Sequence, residues 1–155
     1  MKKLFLCLMA LVAIVTLFGC SAKKADGSLE ELMTKIYSGA DAQYPMRATQ
    51  AITPDMSDKF EYYFGTSNIK FQEALASDAI FNSIAHSVVL IRVSRDENVS
   101  ALMDRIKKSN VGMKWICAGV PQNEVIVDNI GDLVVIIIDK DNPKALHNSF
   151  KKLAS

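Results

Sequence analysis

The residues LVVIII, from Leu133 to Ile138, decide the fold of this chain of 155 residues. They are apolar at every position, whereas a strand with one solvated face would alternate apolar and polar side chains. The run from Val88 to Ile91 is apolar throughout in the same way. Both segments are therefore expected to be central strands of a sheet that is covered on both faces.

The sequence around these two strands indicates hairpins. Residues 124–128 form another β-run, and a glycine-containing turn at residues 129–132 joins it to the strand that follows. A further strand is expected from about Glu73 to Phe81, before the strand Ser87–Val93. Because hairpins separated by helices favour antiparallel pairing, we predict an α+β fold with one antiparallel sheet of about four strands.

Apolar residues at helical spacing predict four helices, so that the order of elements is α-α-β-β-α-β-β-α. The helices are expected at Leu29 to about Ser38, Thr53 to Phe64, Val99 to about Gly112 and Pro143 to Leu153. Residues 40–52 are expected to be irregular, because Pro45 discourages helix before it. The third and fourth helices would cover one face of the sheet. The first two helices, or a second copy of the chain in a homodimer, would cover the other face.

Residues 1–20 are typical of a secretory signal peptide. Lys2 and Lys3 form a short positive region, and an uninterrupted apolar run follows from Leu4 to Phe18. This run is shorter than the roughly 20 residues that a membrane-spanning helix needs. Export across a membrane is therefore expected.

The end of this segment, Leu17-Phe18-Gly19-Cys20, resembles the lipobox of bacterial lipoproteins. Leu17 and Gly19 fit that signature, whereas Phe18 stands where small or β-branched residues are usual. The resemblance implies that Cys20 receives a diacylglycerol thioether and becomes the mature N-terminus. Residues 1–19 would then be the signal peptide, residues 20–28 a lipidated tether, and residues 29–155 a single globular domain at the extracytoplasmic face of the cell membrane. An uncleaved membrane anchor and an ordinary secretory signal are the alternatives.

The charge balance gives no reason to expect a nucleic-acid partner. The chain has 18 basic and 17 acidic residues, and loss of Lys2 and Lys3 with the signal would leave it close to neutral. A basic patch or stripe is the usual footprint of nucleic-acid binding and of a polybasic membrane contact. The lipid on Cys20 is therefore the expected membrane contact.

Few residues suggest chemistry. His86 and His147 are the two histidines, and neither has a Cys, Asp or Glu at the spacing of a known metal motif. His86 is expected to be partly buried and hydrogen-bonded at the start of a strand, and His147 to lie on a polar helix face. Cys117 lies in the apolar segment Trp115–Ala118 and is expected to belong to the core. No catalytic residue, metal site or cofactor is predicted.

Exposed aromatic rings are the remaining candidate for function. The aromatic residues Phe60, Tyr62, Tyr63 and Phe64 lie in the second predicted helix, at least one side of which must face solvent. Tyr62 is expected to be its exposed ring, with Tyr44 nearby, and the two would form a candidate binding surface. The alternative is that Tyr62 is half-buried and only completes the core.

The segment from about Leu29 to Leu153 resembles a family of small lipoproteins from Firmicutes, especially clostridia, that is known only as a domain of unknown function. The resemblance lies in Tyr63-Phe64-Gly65, in the segment that leads into Val88–Val93, in the charged helix that follows, and in the hairpin with Gly131 before its apolar strand. It implies a membrane-anchored extracytoplasmic domain and assigns no catalytic residue.

Two functions remain open at this point. The first is a noncatalytic binding or accessory module of the cell envelope, which would hold a protein partner, a peptide or a small ligand. The second is an envelope enzyme whose polar residues meet only in the fold. Convergent carboxylates, or His86 beside an acid, would favour the enzyme, whereas an apolar groove or an exposed aromatic face would favour binding.

Overall fold

The computed structural model describes residues 24–154. The predicted signal peptide and the predicted lipid-attachment residue Cys20 lie outside these residues. Ala25 is fully buried, and the guanidinium group of Arg92 donates hydrogen bonds to the carbonyl oxygens of Ala25 and Gly27 at 3.4 and 3.1 Å. The packed part of the chain therefore includes Ala25.

Five strands form one antiparallel sheet in the order β1-β2-β3-β5-β4. The strands are β1 Arg47–Ile52, β2 Phe71–Ala79, β3 His86–Val93, β4 Ile126–Ile130 and β5 Leu133–Asp139. The α-helices are α1 Leu29–Gly39, α2 Phe60–Phe64, α3 Val99–Lys107 and α4 Pro143–Lys151. Short 3-10 turns occupy Pro54–Lys59, Val111–Met113, Gln122–Glu124 and Lys152–Ala154. The predicted α+β class with an antiparallel sheet is confirmed, with five strands instead of about four.

The two apolar runs are central strands, as their sequence predicts. β3 and β5 pair with each other, and every residue of β5 is buried. Their side chains alternate between two separate hydrophobic cores, one on each face of the sheet. Both faces are therefore covered, because neither run offers a polar side that could face water.

The assignment of helices to the two faces was wrong. α1 and α4 pack together on one face, while α2 and α3 lie on the other. The reason lies at the end of β5, where the backbone N–H groups of Asp141 and Asn142 donate hydrogen bonds to Asp139 Oδ1. Asp139 faces the α1 side of the sheet, so these bonds direct the start of α4 onto that side.

Strand β1 is the element that the prediction of an irregular segment at residues 40–52 missed. Its residues are exposed except Ile52, and it pairs with β2 at one edge of the sheet. An edge strand buries little of either face, so it lacks the hydrophobic pattern on which strand prediction depends.

Helix α3 ends at Lys107, several residues earlier than predicted. The hydroxyl group of Ser109 donates a hydrogen bond to the carbonyl oxygen of Ile106 at 2.7 Å and so terminates the last turn. Met113, which the periodicity placed on the buried stripe, is 52% exposed. Among residues 24–154, no helix combines the length and apolar character needed to cross a membrane.

The predicted hairpin between β4 and β5 is present and tighter than expected. Only Gly131 and Asp132 lie between the paired residues Ile130 and Leu133. Gly131 has φ +59°, which a residue with a side chain rarely adopts. A glycine at the first position of a two-residue loop fits a type II′ turn, whose twist matches that of the flanking strands.

Candidate functional site

Polar side chains collect at one end of the central strands, where β2 ends, β3 begins and β5 ends. We call this the His86 end of the sheet, and the opposite end, where β3 reaches Arg92, the Arg92 end. Strand alternation divides the polar residues between the two faces. Ser77, His86 and Asp139 point toward α1, whereas Asp78 and Ser87 point toward α2.

On the α1 face, three side chains form a hydrogen-bonded chain that we call the His86 chain. His86 and Asp139 are directly opposite each other in the β3–β5 ladder, with 2.6 Å between His86 Nδ1 and Asp139 Oδ2. His86 Nε2 lies 2.8 Å from the hydroxyl oxygen of Tyr37, on α1. His86 has no exposed surface, and Asp139 is 5% exposed. The chain therefore runs from a buried carboxylate to a phenol on the helix.

The hydrogen-bond partners indicate which atoms of the His86 chain carry protons. A carboxylate can only accept, so His86 Nδ1–H donates to Asp139. Burial raises the pKa of Tyr37 far above its ordinary value, and the smaller opposing effects of a Ser77 hydrogen bond and the Arg47 charge do not offset it. Tyr37 therefore keeps its proton, and its hydroxyl group lies as a donor 2.8 Å from His86 Nε2. As a result, Tyr37 is a fixed hydrogen-bonded ring and not a base.

Tyr37 also lines an open pocket of about 470 Å³ between α1 and β1. The pocket is lined by one side of α1, by the connection that follows it and by alternate residues of β1: Met33, Thr34, Tyr37, Ser38, Ala42, Gln43, Tyr44, Arg47 and Thr49. We call it the Tyr37 pocket. Its walls combine aromatic rings with hydroxyl and amide groups, a composition suited to holding an organic ligand.

Arg47 supplies the one full charge in the lining of this pocket. Its guanidinium carbon lies 3.6 Å from the centroid of the Tyr37 ring, which is a cation–π contact. Tyr44 packs edge-on against Tyr37 at 5.4 Å, and its hydroxyl group donates to the carbonyl oxygen of Asn142 at 3.4 Å. Among residues 24–154, Arg47 forms no ion pair with a carboxylate. The pocket therefore presents a positioned cation that no carboxylate of the described residues neutralises.

A second polar group, the Lys114 cluster, lies on the α2 face at the same end. Lys114 Nζ lies 3.1 and 3.3 Å from the two carboxylate oxygens of Asp78 and 3.0 Å from Ser87 Oγ. The ammonium group also lies 4.6 Å from the ring centroid of Tyr62 and 5.0 Å from that of Trp115. Its side chain is only 3% exposed.

Proximity of a serine to a lysine can in principle support nucleophilic catalysis. Burial lowers the pKa of Lys114, and the Asp78 carboxylate acts in the opposite direction. However, Ser87 is fully buried, and the lysine is engaged by Asp78. The cluster as folded offers a substrate no access, so its geometry is that of a structural ion pair.

The structure does not bring Tyr44 and Tyr62 together. Tyr44 lies in the Tyr37 pocket, whereas Tyr62 lies over Lys114 on the opposite face of the sheet. Tyr62 is 41% exposed. The candidate surface from the sequence thus contains one pocket residue, while Tyr37 and Arg47 were not singled out.

The histidines have partners that their sequence neighbours do not reveal. His86 is fully buried instead of partly buried, and Asp139 is 53 positions away. His147 Nε2 lies 2.7 Å from Asp128 Oδ2, across from α4 to β4. Strand register could have suggested the first pair, since His86 begins one central strand and Asp139 ends the other. Among residues 24–154, no group of three or more potential ligands could hold a metal ion.

The prediction that Cys117 belongs to the core was wrong, since this free thiol is exposed. Its neighbour Ile116 is 90% exposed, while Trp115 is buried. The backbone N–H of Val120 donates to the carbonyl oxygen of Gly112 at 2.9 Å and closes the base of a loop. The apolar run therefore turns outward after Trp115 instead of continuing as a buried strand.

Comparison of the chain with protein-family models, with curated proteins and with solved structures finds no match.

Proposed function

We propose that this protein is a lipoprotein of the extracytoplasmic membrane face, anchored through Cys20, and that it is a noncatalytic binding module whose ligand occupies the Tyr37 pocket. The signal-like segment at residues 1–20, which ends in the lipobox-like sequence Leu17-Phe18-Gly19-Cys20, supports the anchor. The contact between Arg47 and Tyr37 carries the binding proposal. It holds the guanidinium carbon of Arg47 3.6 Å from the centroid of the Tyr37 ring, and the charge remains available to a ligand. A ligand with a carboxylate group complements that cation.

An envelope enzyme is the second candidate, because His86 does lie beside an acid. Two observations weigh against it. His86 has no exposed surface, so a substrate could contact the His86 chain only at Tyr37. The raised pKa of Tyr37 makes its hydroxyl group a poor base at neutral pH. The His86 chain instead holds the ring on which Arg47 rests.

The position of the pocket suits a membrane-anchored receptor. Ala25, the buried described residue nearest to Cys20 in the sequence, contacts Arg92, whereas the pocket lies beside the His86 end. Strand β3 joins these ends with eight residues, a distance of about 25 Å at roughly 3.4 Å per residue. A lipid at Cys20 would therefore leave the pocket on the side of the domain that faces away from the bilayer.

Replacement of Arg47 by alanine is expected to weaken binding of small carboxylates about tenfold or more, since a charged hydrogen bond contributes about 1.5–3 kcal/mol. The measurement is an NMR titration with N-acetyl-phenylalanine, and the matched probe is its uncharged amide. The wild-type protein should respond at Tyr37 and Tyr44 to the acid more strongly than to the amide, and Arg47→Lys should keep part of the difference. Equal responses to both probes, or none to either, would contradict this binding site.

Replacement of Cys20 by serine is expected to abolish incorporation of a labelled fatty acid and to release the domain from membranes, because two acyl chains provide the anchor. Metabolic labelling and membrane fractionation measure the two effects. Cys117→Ser, which removes the exposed thiol of the folded domain, is the matched control and should change neither. Unchanged labelling in Cys20→Ser would exclude the lipid anchor without affecting the assignment of the pocket.

A further inference from the structure

Strand β1 lies at one side of the sheet, and no described residue pairs with its outer edge. It pairs only with β2, and among residues 24–154 no other segment pairs with it. Its first five residues are exposed. Open edges in native proteins are usually protected by proline, lysine or a bulge, because their free N–H and C=O groups can pair with another chain. The sequence of β1, RATQAI, has one charged residue, Arg47, at its start and contains no proline or lysine, and its register with β2 has no bulge.

The register shows which backbone groups face outward. The N–H of Ile80 donates to the carbonyl oxygen of Met46 at 3.1 Å, so this pair continues the hydrogen-bonded ladder of β1 and β2. Hydrogen-bonded positions alternate along an antiparallel pair. The backbone groups of Ala48 and Gln50 therefore point to β2, and those of Arg47, Thr49 and Ala51 point away from the sheet.

The outward-facing positions are also the ones at the pocket. Arg47 and Thr49 line the Tyr37 pocket with their side chains. Residues paired across neighbouring strands share a face. A strand added beside β1 would therefore pair with Arg47, Thr49 and Ala51, and every second side chain of that strand would enter the groove between β1 and α1.

We infer that the ligand of the Tyr37 pocket is an extended peptide segment of a partner protein, which adds to β1 as a sixth strand and places a carboxylate on Arg47. This inference rests on the proposed binding function and specifies its ligand. Strand addition provides backbone hydrogen bonds, and the groove provides side-chain selection. A second copy of the chain is the less suitable occupant, because a paired RATQAI strand has no acidic residue to complement Arg47.

Proline substitution at β1 tests the strand addition. Ala51→Pro removes one outward N–H, lies outside the lining of the pocket and leaves the ladder with β2 complete. The inward position Ala48 is the matched control, because Ala48→Pro removes a ladder hydrogen bond and should lower the melting temperature. The probes are a hexapeptide library and the best binders selected from it, resynthesised with free and amidated C-termini.

The selected peptides should bind the full chain in detergent, and Ala51→Pro should weaken them about tenfold or more, with N-acetyl-phenylalanine binding unchanged. Bound peptide should slow hydrogen exchange at the amides of Arg47, Thr49 and Ala51. Loss of affinity on amidation identifies a C-terminal carboxylate as the group on Arg47, whereas retained affinity in peptides with Asp or Glu identifies a side chain. Either result supports the inference.

Four results would overturn it. Equal peptide affinity for Ala51→Pro and for the wild type would show that the peptides do not pair with the outer edge of β1. A dimer that Ala51→Pro dissociates would assign the edge to a second copy. Binding of N-acetyl-phenylalanine without any peptide binding would exclude a peptide ligand but would still support the Tyr37 pocket as a binding site. Failure of both probes to bind would exclude the pocket as a binding site as well.

Discussion

Replacement of His86 by alanine is expected to destabilise the protein by about 3–5 kcal/mol, because it deletes a fully buried ring and leaves a buried carboxylate without one of its hydrogen-bond donors. The Asp139 carboxylate would stay buried with Oδ2 deprived of its donor. The Tyr37 hydroxyl group would lose its acceptor at the same time. Because whole domains are stable by only about 5–15 kcal/mol, chemical denaturation should show this loss as a large shift of the midpoint.

The other histidine provides a matched control. His147 also pairs with an aspartate, at 2.7 Å from Asp128, but its side chain is 24% exposed and that of Asp128 is 37% exposed. Solvent screens such a pair, so His147→Ala should cost no more than about 1 kcal/mol. Similar losses in both variants would show that burial of the His86 chain does not determine its contribution. If His86→Ala also weakened N-acetyl-phenylalanine binding while still folded, the chain would be shown to position Tyr37.

The central sheet was predictable from the sequence because its strands are apolar without interruption. Uniformly apolar strands such as Val88–Ile91 and Leu133–Ile138 are expected only in a sheet that is covered on both faces. The structure has a hydrophobic core on each face of this sheet. Strand β1 was missed for the opposite reason, since its exposed residues carry no burial pattern. The pairing of helices was also missed, because Asp139 directs α4 through backbone hydrogen bonds that periodicity does not encode.

The candidate site was less predictable than the fold, because its parts come from distant elements. Tyr44 was identified by exposure arguments, but Tyr37 lies on a helix whose apolar stripe explains the helix without it. Arg47 lies in the segment 40–52, which was predicted to be irregular. Only the placement of β1 at the sheet edge beside α1 gives these residues a common pocket. Pairing over 53 positions, as between His86 and Asp139, likewise requires the strand register.

Replacement of Lys114 by methionine is the second change expected to have a large effect, about 3 kcal/mol of lost stability. Methionine fills much of the same space but leaves the Asp78 carboxylate without the ammonium group that contacts both its oxygens, and Ser87 Oγ loses its donor in a fully buried position. The ring contacts with Tyr62 and Trp115 also lose their cation. Urea unfolding at neutral pH measures the loss.

Two comparisons distinguish the ion pair from simple packing. The double variant Lys114→Met with Asp78→Leu should recover most of the stability, because replacing both buried charges by apolar groups is often neutral or stabilising.

Burial lowers the pKa of Lys114, so the folded protein binds this proton less tightly than the unfolded chain, whose lysine pKa is about 10.4. As the pH rises from the lowered pKa toward that value, the unfolded chain holds more protons, and the wild type should gain stability relative to Lys114→Met. A difference that shrinks over this interval would mean that the folded protein favours the charged lysine, with Asp78 outweighing the cost of burial.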